Sequence, residues 1–361
     1  MATVEAYETT AGRRYMVRYR TPERKQTKKR GFKTKRSAEA FASSLEVSIL
    51  RGEFIDPTAA RSTVHELGGA WLGRQTHLKP STARAIESSW RLHVTPRWGS
   101  VPVAEIRRTA VQAWVSDLSA TYSATTVARA HGALASLLDD AVDDRRILTN
   151  PARGVNLPRK VRREHSYLDH RQVAALAAAA GRHETLVLVL AYCGLRWGEA
   201  AGLRVRDLDM LRQRLRINQN AVEVGSEIVV GTPKTHERRS VPFPAFLSLP
   251  LAAACEGKGR DDVVFHGDRG AYLKRSKSGT GWFSRAARDA GIDDHLTPHD
   301  LRHSAASLAV SAGANVKAVQ RMLGHASASM TLDVYADLFE KDLDGVAVAL
   351  ETARLRAVSP G

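Results

Sequence analysis

The sequence predicts an α+β, multidomain fold class, and three observations carry the prediction. Residues 1–60 begin with side chains alternating at period two and finish with a period near 3.6. Residues 63–150 show helical periodicity throughout. From residue 165 onward, helical stretches enclose short β-type segments punctuated by Gly and Pro. At 361 residues the chain exceeds one ordinary core. The expected layout is a small β-sheet-plus-helix N-terminal domain (1–60), a four-helix domain (63–150), a basic linker (151–164) and a mainly α domain with a small β-sheet (165–361).

In the first domain Tyr15, Val17 and Tyr19 alternate with Met16 and Arg18 as a half-exposed strand, and residues 27–32 pair with it across a polar turn. A helix follows from about Ser37, with Ala38, Phe41, Leu45 and Ile49 on one face. Between Arg13 and Arg36 stand twelve Lys/Arg against one acid, Glu23. The whole chain has 54 Lys+Arg against 38 Asp+Glu, a net charge of +16, which favours a polyanionic partner. Basic strands interleaved with aromatics on a miniature sheet suit docking on DNA. The candidate contacts are Arg18, Lys28, Lys29, Arg30, Lys33, Lys35 and Arg36.

The helical domain carries Val64, Leu67, Trp71 and Leu72 on one stripe, then a helix over 81–94 with Ile86 and Trp90. Residues 101–106 connect to helices over 109–118 and 125–144, the last with Ala130, Leu134, Leu137 and Leu138 inward. The tryptophans fall on the apolar stripes and are core residues. Residues 150–163 contain two prolines, a glycine and five basic residues, including Arg159 and Lys160. They form an extended tether suited to lie along phosphates, which would raise the effective concentration of one DNA-binding module once the other is bound.

In the last domain Asp169 caps a helix through Ala180. An apolar run, 186–192, leads to a Gly-punctuated break at Arg196. Segments 215–217, 227–230 and 240–242 are β-like, with turns at Gly225 and at 231–233; Lys234 lies in the last turn. Helices resume at Gly281, and the tail 344–356 packs on its own domain or on a neighbouring subunit. Two cysteines, Cys193 and Cys255, fit a reducing compartment. The chain lacks an apolar signal core and any run long enough to span a bilayer, so no membrane is expected and the expected location is the cytoplasm.

The chemistry concentrates in residues 299–335, which hold His299, Arg302, His325 and Tyr335. His299 and Arg302 are three apart and share a helix face, with Pro298 in the first turn and the positive end of the helix dipole beside them. Gly324 stops the next helix, His325 sits in the following turn, and Ser327 or Ser329 caps a short helix carrying Tyr335. A tyrosine hydroxyl has a pKa of about 10, so roughly one in a thousand is phenolate at neutral pH. Cations and donors that favour that anion would also neutralise a phosphate under attack. A second arginine for a fork on phosphate oxygens is found at Arg196. The HDLRH segment superficially matches a zinc-binding HExxH helix, but Asp300 replaces the glutamate and Arg302 would set a cation beside the metal.

GLRWGE, TPKT, HDLRH, LGHAS and a tyrosine ten residues after His325, in this order, resemble the tyrosine recombinase, or phage integrase, family. The basic N-terminal unit resembles the arm-site-binding domain of integrases, and the helical unit their core-site-binding domain. The resemblance implies that Tyr335 attacks a DNA phosphate to give a 3′-phosphotyrosyl bond. It implies further that Arg196 and Arg302 hold the non-bridging oxygens, that Lys234 protonates the leaving 5′-oxygen, and that His325 and His299 assist. Glu199 is expected to orient Arg196. No cofactor, ATP or metal is implied. The expected partners are double-stranded DNA with core-type and arm-type sites, a homo-tetramer on that DNA, a host DNA-bending protein and a directionality factor, all in a prokaryotic host. The implied function is integration and excision of phage or mobile-element DNA. The alternatives are a catalytically inactive DNA-binding regulator and a strand transferase that resolves or relaxes DNA.

Overall fold

Alternating side chains near the N-terminus close into an antiparallel sheet in the computed structural model, in the order β1 (Thr3–Thr9), β2 (Gly12–Arg20), β3 (Gln26–Phe32). The structure describes residues 2–332 other than 23, 57, 161–165, 233–237, 278, 294 and 330, together with 350–351, 354–355 and 357–358. Two units divide the chain, Met1–Arg162 and Arg163–Gly361.

Helix α1 (Lys35–Leu50) covers one face of the first sheet. It starts two residues before the expected Ser37, because the Thr34 side chain accepts from the Ser37 N–H and so defines the N-cap. Ala38 and Leu45 meet Val17 and Tyr19 in a small core, with Phe41 and Ile49 at its margin. β1 was not anticipated, since its apolar positions, Val4 and Ala6, are too few and too small to signal a strand.

The helical part of the first unit contains α2 (Val64–Gly73), α3 (Pro80–Ser89), α4 (Thr95–Trp98), α5 (Arg108–Thr121) and α6 (Ala124–Asp143). A π turn, Trp90–Val94, joins α3 to α4, so the helix expected to stop at Val94 continues to Trp98 with a bulge. Trp71, Trp90, Trp98 and Trp114 are all buried in one core with Leu134, Leu137 and Leu138, as the stripes predict.

The segment after α6 differs from a free tether. Ala152 is buried in the helical core. Asn150 donates to the Ala135 carbonyl (2.8 Å) and Asp139 (2.6 Å), Arg153 pairs with Asp139, and Gln112 exchanges two bonds with the Asn156 backbone. Residues 150–156 are thus fastened to α5 and α6, and the exposed basic run begins only at Arg159 and Lys160.

The second unit begins with α7 (His170–Ala179), whose Asp169 cap and Gln172 form a reciprocal capping box. It continues through α8 (Glu184–Cys193), α9 (Trp197–Ala201), β4 (Leu208–Asp209), β5 (Arg214–Ile217), β6 (Asn220–Val224), β7 (Glu227–Gly231), β8 (Arg239–Pro242), α10 (Ser248–Cys255), α11 (Trp282–Asp289), α12 (Asp300–Ser311) and α13 (Val316–Leu323). Strands β4, β5 and β8 form one small sheet and β6–β7 a hairpin through Gly225. Helix α8 is buried on nearly every side, against α7 and α12, and centres the core. The sequence placed no helix between the β region and Gly281; α10 fills part of that interval. Among the described residues, no helix is long and apolar enough to cross a membrane.

Candidate active site

Three helix ends build the site. Helix α8 finishes at Gly194, whose φ of 64° lets the chain turn away in the left-handed region. Two residues later Arg196 occupies the N-cap of α9. Its backbone N–H donates to Glu199 Oε2 (2.8 Å) and its Nη1 to Glu199 Oε1 (3.0 Å). Glu199, as expected, holds this arginine. The Arg196 side chain remains 24% exposed, so its guanidinium is within reach of a ligand.

Helix α13 is capped at its start by Asn315 and stopped at Gly324, φ 65°. His325 N–H bonds the Gln320 carbonyl (3.1 Å) and Gly324 N–H the Arg321 carbonyl (3.2 Å), the paired bonds of a Schellman end. This fixes the turn that carries His325, and Gln320 Nε2 adds a bond to the His325 carbonyl (3.0 Å). His325 Nδ1 lies 3.0 Å from the hydroxyl of the buried Thr331. Residues 328–329 and 331–332 are helical, directly after Ser327.

Helix α12 supplies the third part. Pro298 lies just outside rather than in the first turn, because His299 is the N-cap and the helix begins at Asp300. Asp300 accepts from the Thr297 N–H (2.8 Å) and hydroxyl (2.7 Å), which secures the entry. Arg302 is buried, and it donates from Nη1 to the Gly194 carbonyl and from Nη2 to the Leu323 carbonyl, both at 2.6 Å. These are carbonyls that helices α8 and α13 leave unpaired at their C-terminal ends, where a cation is also favoured by the dipole. Arg302 therefore laces the ends of two helices together while holding its charge in the site.

His299, Arg302, Arg196 and His325 thus converge. Burial lowers the pKa of His299, helped by Arg302, Arg275 and Arg196 and opposed by Asp300. Burial likewise drives His325 down to about 4, with the charges of Arg302, Arg196, Arg239 and His299 adding to the effect. Both imidazoles are neutral at pH 7. Beside them a cavity of about 400 Å³ is lined by Trp197, Arg275, Thr297, Pro298, His299, Asp300 and His303. The rings of His299 and His303 meet edge to face at 5.1 Å. Of the six candidate catalytic residues, four are brought together; Lys234 and Tyr335 lie outside the described residues.

Residues in contact with this group that escape sequence reasoning include Gln320, Thr331 and Arg239, the last bound through both Nη atoms to Glu199 (2.8 and 2.7 Å). Its signal was the alternation of β8, which puts Arg239 on the same side as buried Val241.

The basic candidates near the N-terminus sort by strand register. Val17 pairs with Val4 and Lys29, and Val17 faces the α1 core, so these positions share the helix-covered side. Arg18 pairs with Thr3 and Lys28 on the open side, where Arg14 faces Tyr7 and Arg20 faces Gln26. Arg30 sits over the Tyr7 ring (5.6 Å), while the Lys29 ammonium sits over Phe41 of α1 (4.3 Å). Lys33, Lys35 and Arg36 are exposed where β3 turns into α1.

Residues 166–342 match the phage integrase family, and residues 7–49 match an arm DNA-binding domain. The integrase of Mycobacterium phage D29 is 26% identical over 351 residues, covering 92% of this chain and 91% of that protein. Tyrosine recombinase XerC of Chromohalobacter salexigens is 29% identical over 272 residues, 72% of this chain and 83% of that one. Among solved structures, a lambda integrase tetramer bound to a Holliday junction shares the fold with a TM-score of 0.60 at 19% identity, covering 89% of this chain and 95% of that chain.

Proposed function

The chain belongs to the phage integrase family and is a tyrosine-type site-specific DNA recombinase; from that premise we propose that it integrates and excises phage or mobile-element DNA through a 3′-phosphotyrosyl intermediate. The observation that supports this most is the convergence of two guanidiniums and two neutral imidazoles on the ends of α8, α12 and α13.

In this reading the Tyr335 hydroxyl oxygen forms a bond to phosphorus as the bond to the 5′-oxygen breaks. Arg196 and Arg302 take the non-bridging oxygens, where charge accumulates in the transition state. Neutral His299 accepts the phenol proton; a protonated imidazole could not. His325 donates to a phosphate oxygen, with Thr331 setting the ring's orientation. Lys234 delivers a proton to the departing 5′-oxygen, which would otherwise leave as a poor alkoxide. The phosphotyrosyl bond conserves the energy of the phosphodiester, so a 5′-hydroxyl from the partner strand reverses the step without ATP.

Duplex DNA is the substrate, read by the helical part of the first unit at the core-type site. The open face of the β1–β2–β3 sheet reads an arm-type site, and Arg159 and Lys160 bind phosphates of the DNA backbone. Four protomers assemble across two duplexes, a reading supported by the lambda integrase tetramer on its Holliday junction.

A nicked duplex carrying the site that the full chain selects from a random-sequence library tests the proposal. The wild-type chain is expected to form a covalent protein–DNA adduct that Tyr335→Phe abolishes while binding persists. Binding without an adduct in either form would instead identify a DNA-binding regulator.

A further inference from the structure

Arg239 belongs to none of the motifs that define the site, yet it is bound into it at three points. Both Nη atoms grip the two oxygens of Glu199, at 2.8 and 2.7 Å, and Nε donates to the Met322 carbonyl at 3.1 Å. The Arg239 side chain is 10% exposed and that of Glu199 1%. Arg196 reaches the same carboxylate through one Nη, at 3.0 Å, with its backbone N–H on the other oxygen. One buried anion therefore serves two cations, and the two-pronged contact goes to the inner arginine rather than to the one exposed toward the site.

That division has an electrostatic consequence. Two guanidiniums and one carboxylate leave one net positive charge, carried at the accessible end by Arg196. With Arg239 gone, both Glu199 oxygens would turn to Arg196, the geometry in which guanidinium and carboxylate bind most strongly. Arg196 would then be held inward with its charge cancelled. A second consequence is mechanical: Arg239 passes beneath Gly324, where an added Cβ would come within 2.9 Å of its Cδ. It thereby supports the turn from which His325 projects.

We infer that Arg239 is a positioning residue for DNA strand cleavage: it occupies Glu199 so that Arg196 stays available to the scissile phosphate. The inference rests on the recombinase reading above. Burial works to raise the Glu199 pKa, but the hydrogen bonds and charge of Arg239, with smaller help from Arg196, hold it at about 2, so the carboxylate is ionised throughout the working pH range. Removing one member of such a buried charge triad leaves an uncompensated charge, so the test must separate loss of fold from loss of Arg196 positioning.

The test uses the full chain and the nicked duplex described above, following adduct formation in single turnover alongside Kd for the same duplex. Arg239→Met is expected to slow adduct formation about 100-fold while Kd changes by less than about threefold. Adding Glu199→Gln removes the carboxylate that would capture Arg196, and the double variant is expected to recover about tenfold of the lost rate. A purely architectural arginine would show no such rescue, because the second change removes a further contact. Arg239→Lys keeps a cation in the same volume but not the fork, and is expected to be about tenfold slower than wild type; this variant decides the question if Arg239→Met does not fold. Wild-type cleavage by either single variant, or a folded Arg239→Met that Glu199→Gln fails to speed up, overturns the inference. No adduct from the wild-type chain overturns the recombinase reading itself.

Discussion

Arg302 does two things at once: its position rests on two backbone carbonyls, and its charge lowers the pKa of both neighbouring histidines. Replacement by Met would strand the Gly194 and Leu323 carbonyls, a cost of about 3 kcal/mol that urea unfolding would read directly. Arg302→Lys keeps the charge but not the fork, and is expected to cost about 1 kcal/mol. Acid adds a further prediction. His325 ionises near 4 in the fold against an ordinary 6.5, so between those values the unfolded chain binds more protons. The stability from keeping His325 neutral is full above pH 6.5 and is lost as pH falls toward 4. Glu199, at about 2 against 4.5, adds a separate loss below pH 4.5. His325→Gln should lessen the slope of stability against pH in the upper window, to which His299 and His183 also contribute because burial lowers them too, and leave the lower one unchanged; an unaltered upper slope would refute the assignment. Motif spacing revealed Arg196, His299, Arg302 and His325, because each stands in a short segment that matches a motif, although the contacts that hold Arg302 come from Gly194 and Leu323, far away in sequence. Arg239 depends on a partner forty positions away, at Glu199; the alternation in RRSVP marks it as inward-facing but not what it meets.

At the scale of elements, helix ends were the most readable feature. Asp169 as a cap, the Gly-punctuated break before Arg196 and Gly324 as a stop depend on neighbours within a turn and appear where the sequence put them. Strands β1, β4 and β6 were missed because each holds its place through a pairing partner rather than through an apolar pattern of its own. The segment after α6 was misjudged for a related reason. Its Pro, Gly and Arg content reads as a free linker, yet Asn150, Ala152 and Asn156 find partners on α5 and α6. Gly324 offers the sharpest test at this scale. Gly324→Ala must adopt φ 65° and also push its Cβ toward Arg239, so a loss of about 2 kcal/mol is expected. Adduct formation should fall more than this stability loss accounts for, since the displaced turn carries His325. A variant that is destabilised but cleaves at the wild-type rate would show that the turn tolerates movement.

Over the whole molecule the net charge of +16 attracts any polyanion, but only strand register assigns parts of it to a surface. Arg18, Lys28 and Arg30 lie on the open side of the first sheet, whereas Lys29 is held over Phe41 beside the covering helix. Composition alone had grouped all four. If the open side binds phosphates, each cation there releases about one counterion, so alanine at Arg18, Lys28 and Arg30 together should reduce the slope of log K against log salt by about 3. The measurement is a salt titration of the full chain on the arm-type duplex it selects. Lys29→Ala should leave that slope unchanged and lower thermal stability by about 0.5–1 kcal/mol through loss of the cation–π contact. Adduct formation on a nicked core-type duplex lacking an arm-type site should be the same for the triple variant as for the wild type, because the residues proposed to cleave DNA all belong to the second unit. An unchanged slope in the triple variant, or a large one lost with Lys29 alone, would move the DNA-binding face to the helix side of the sheet.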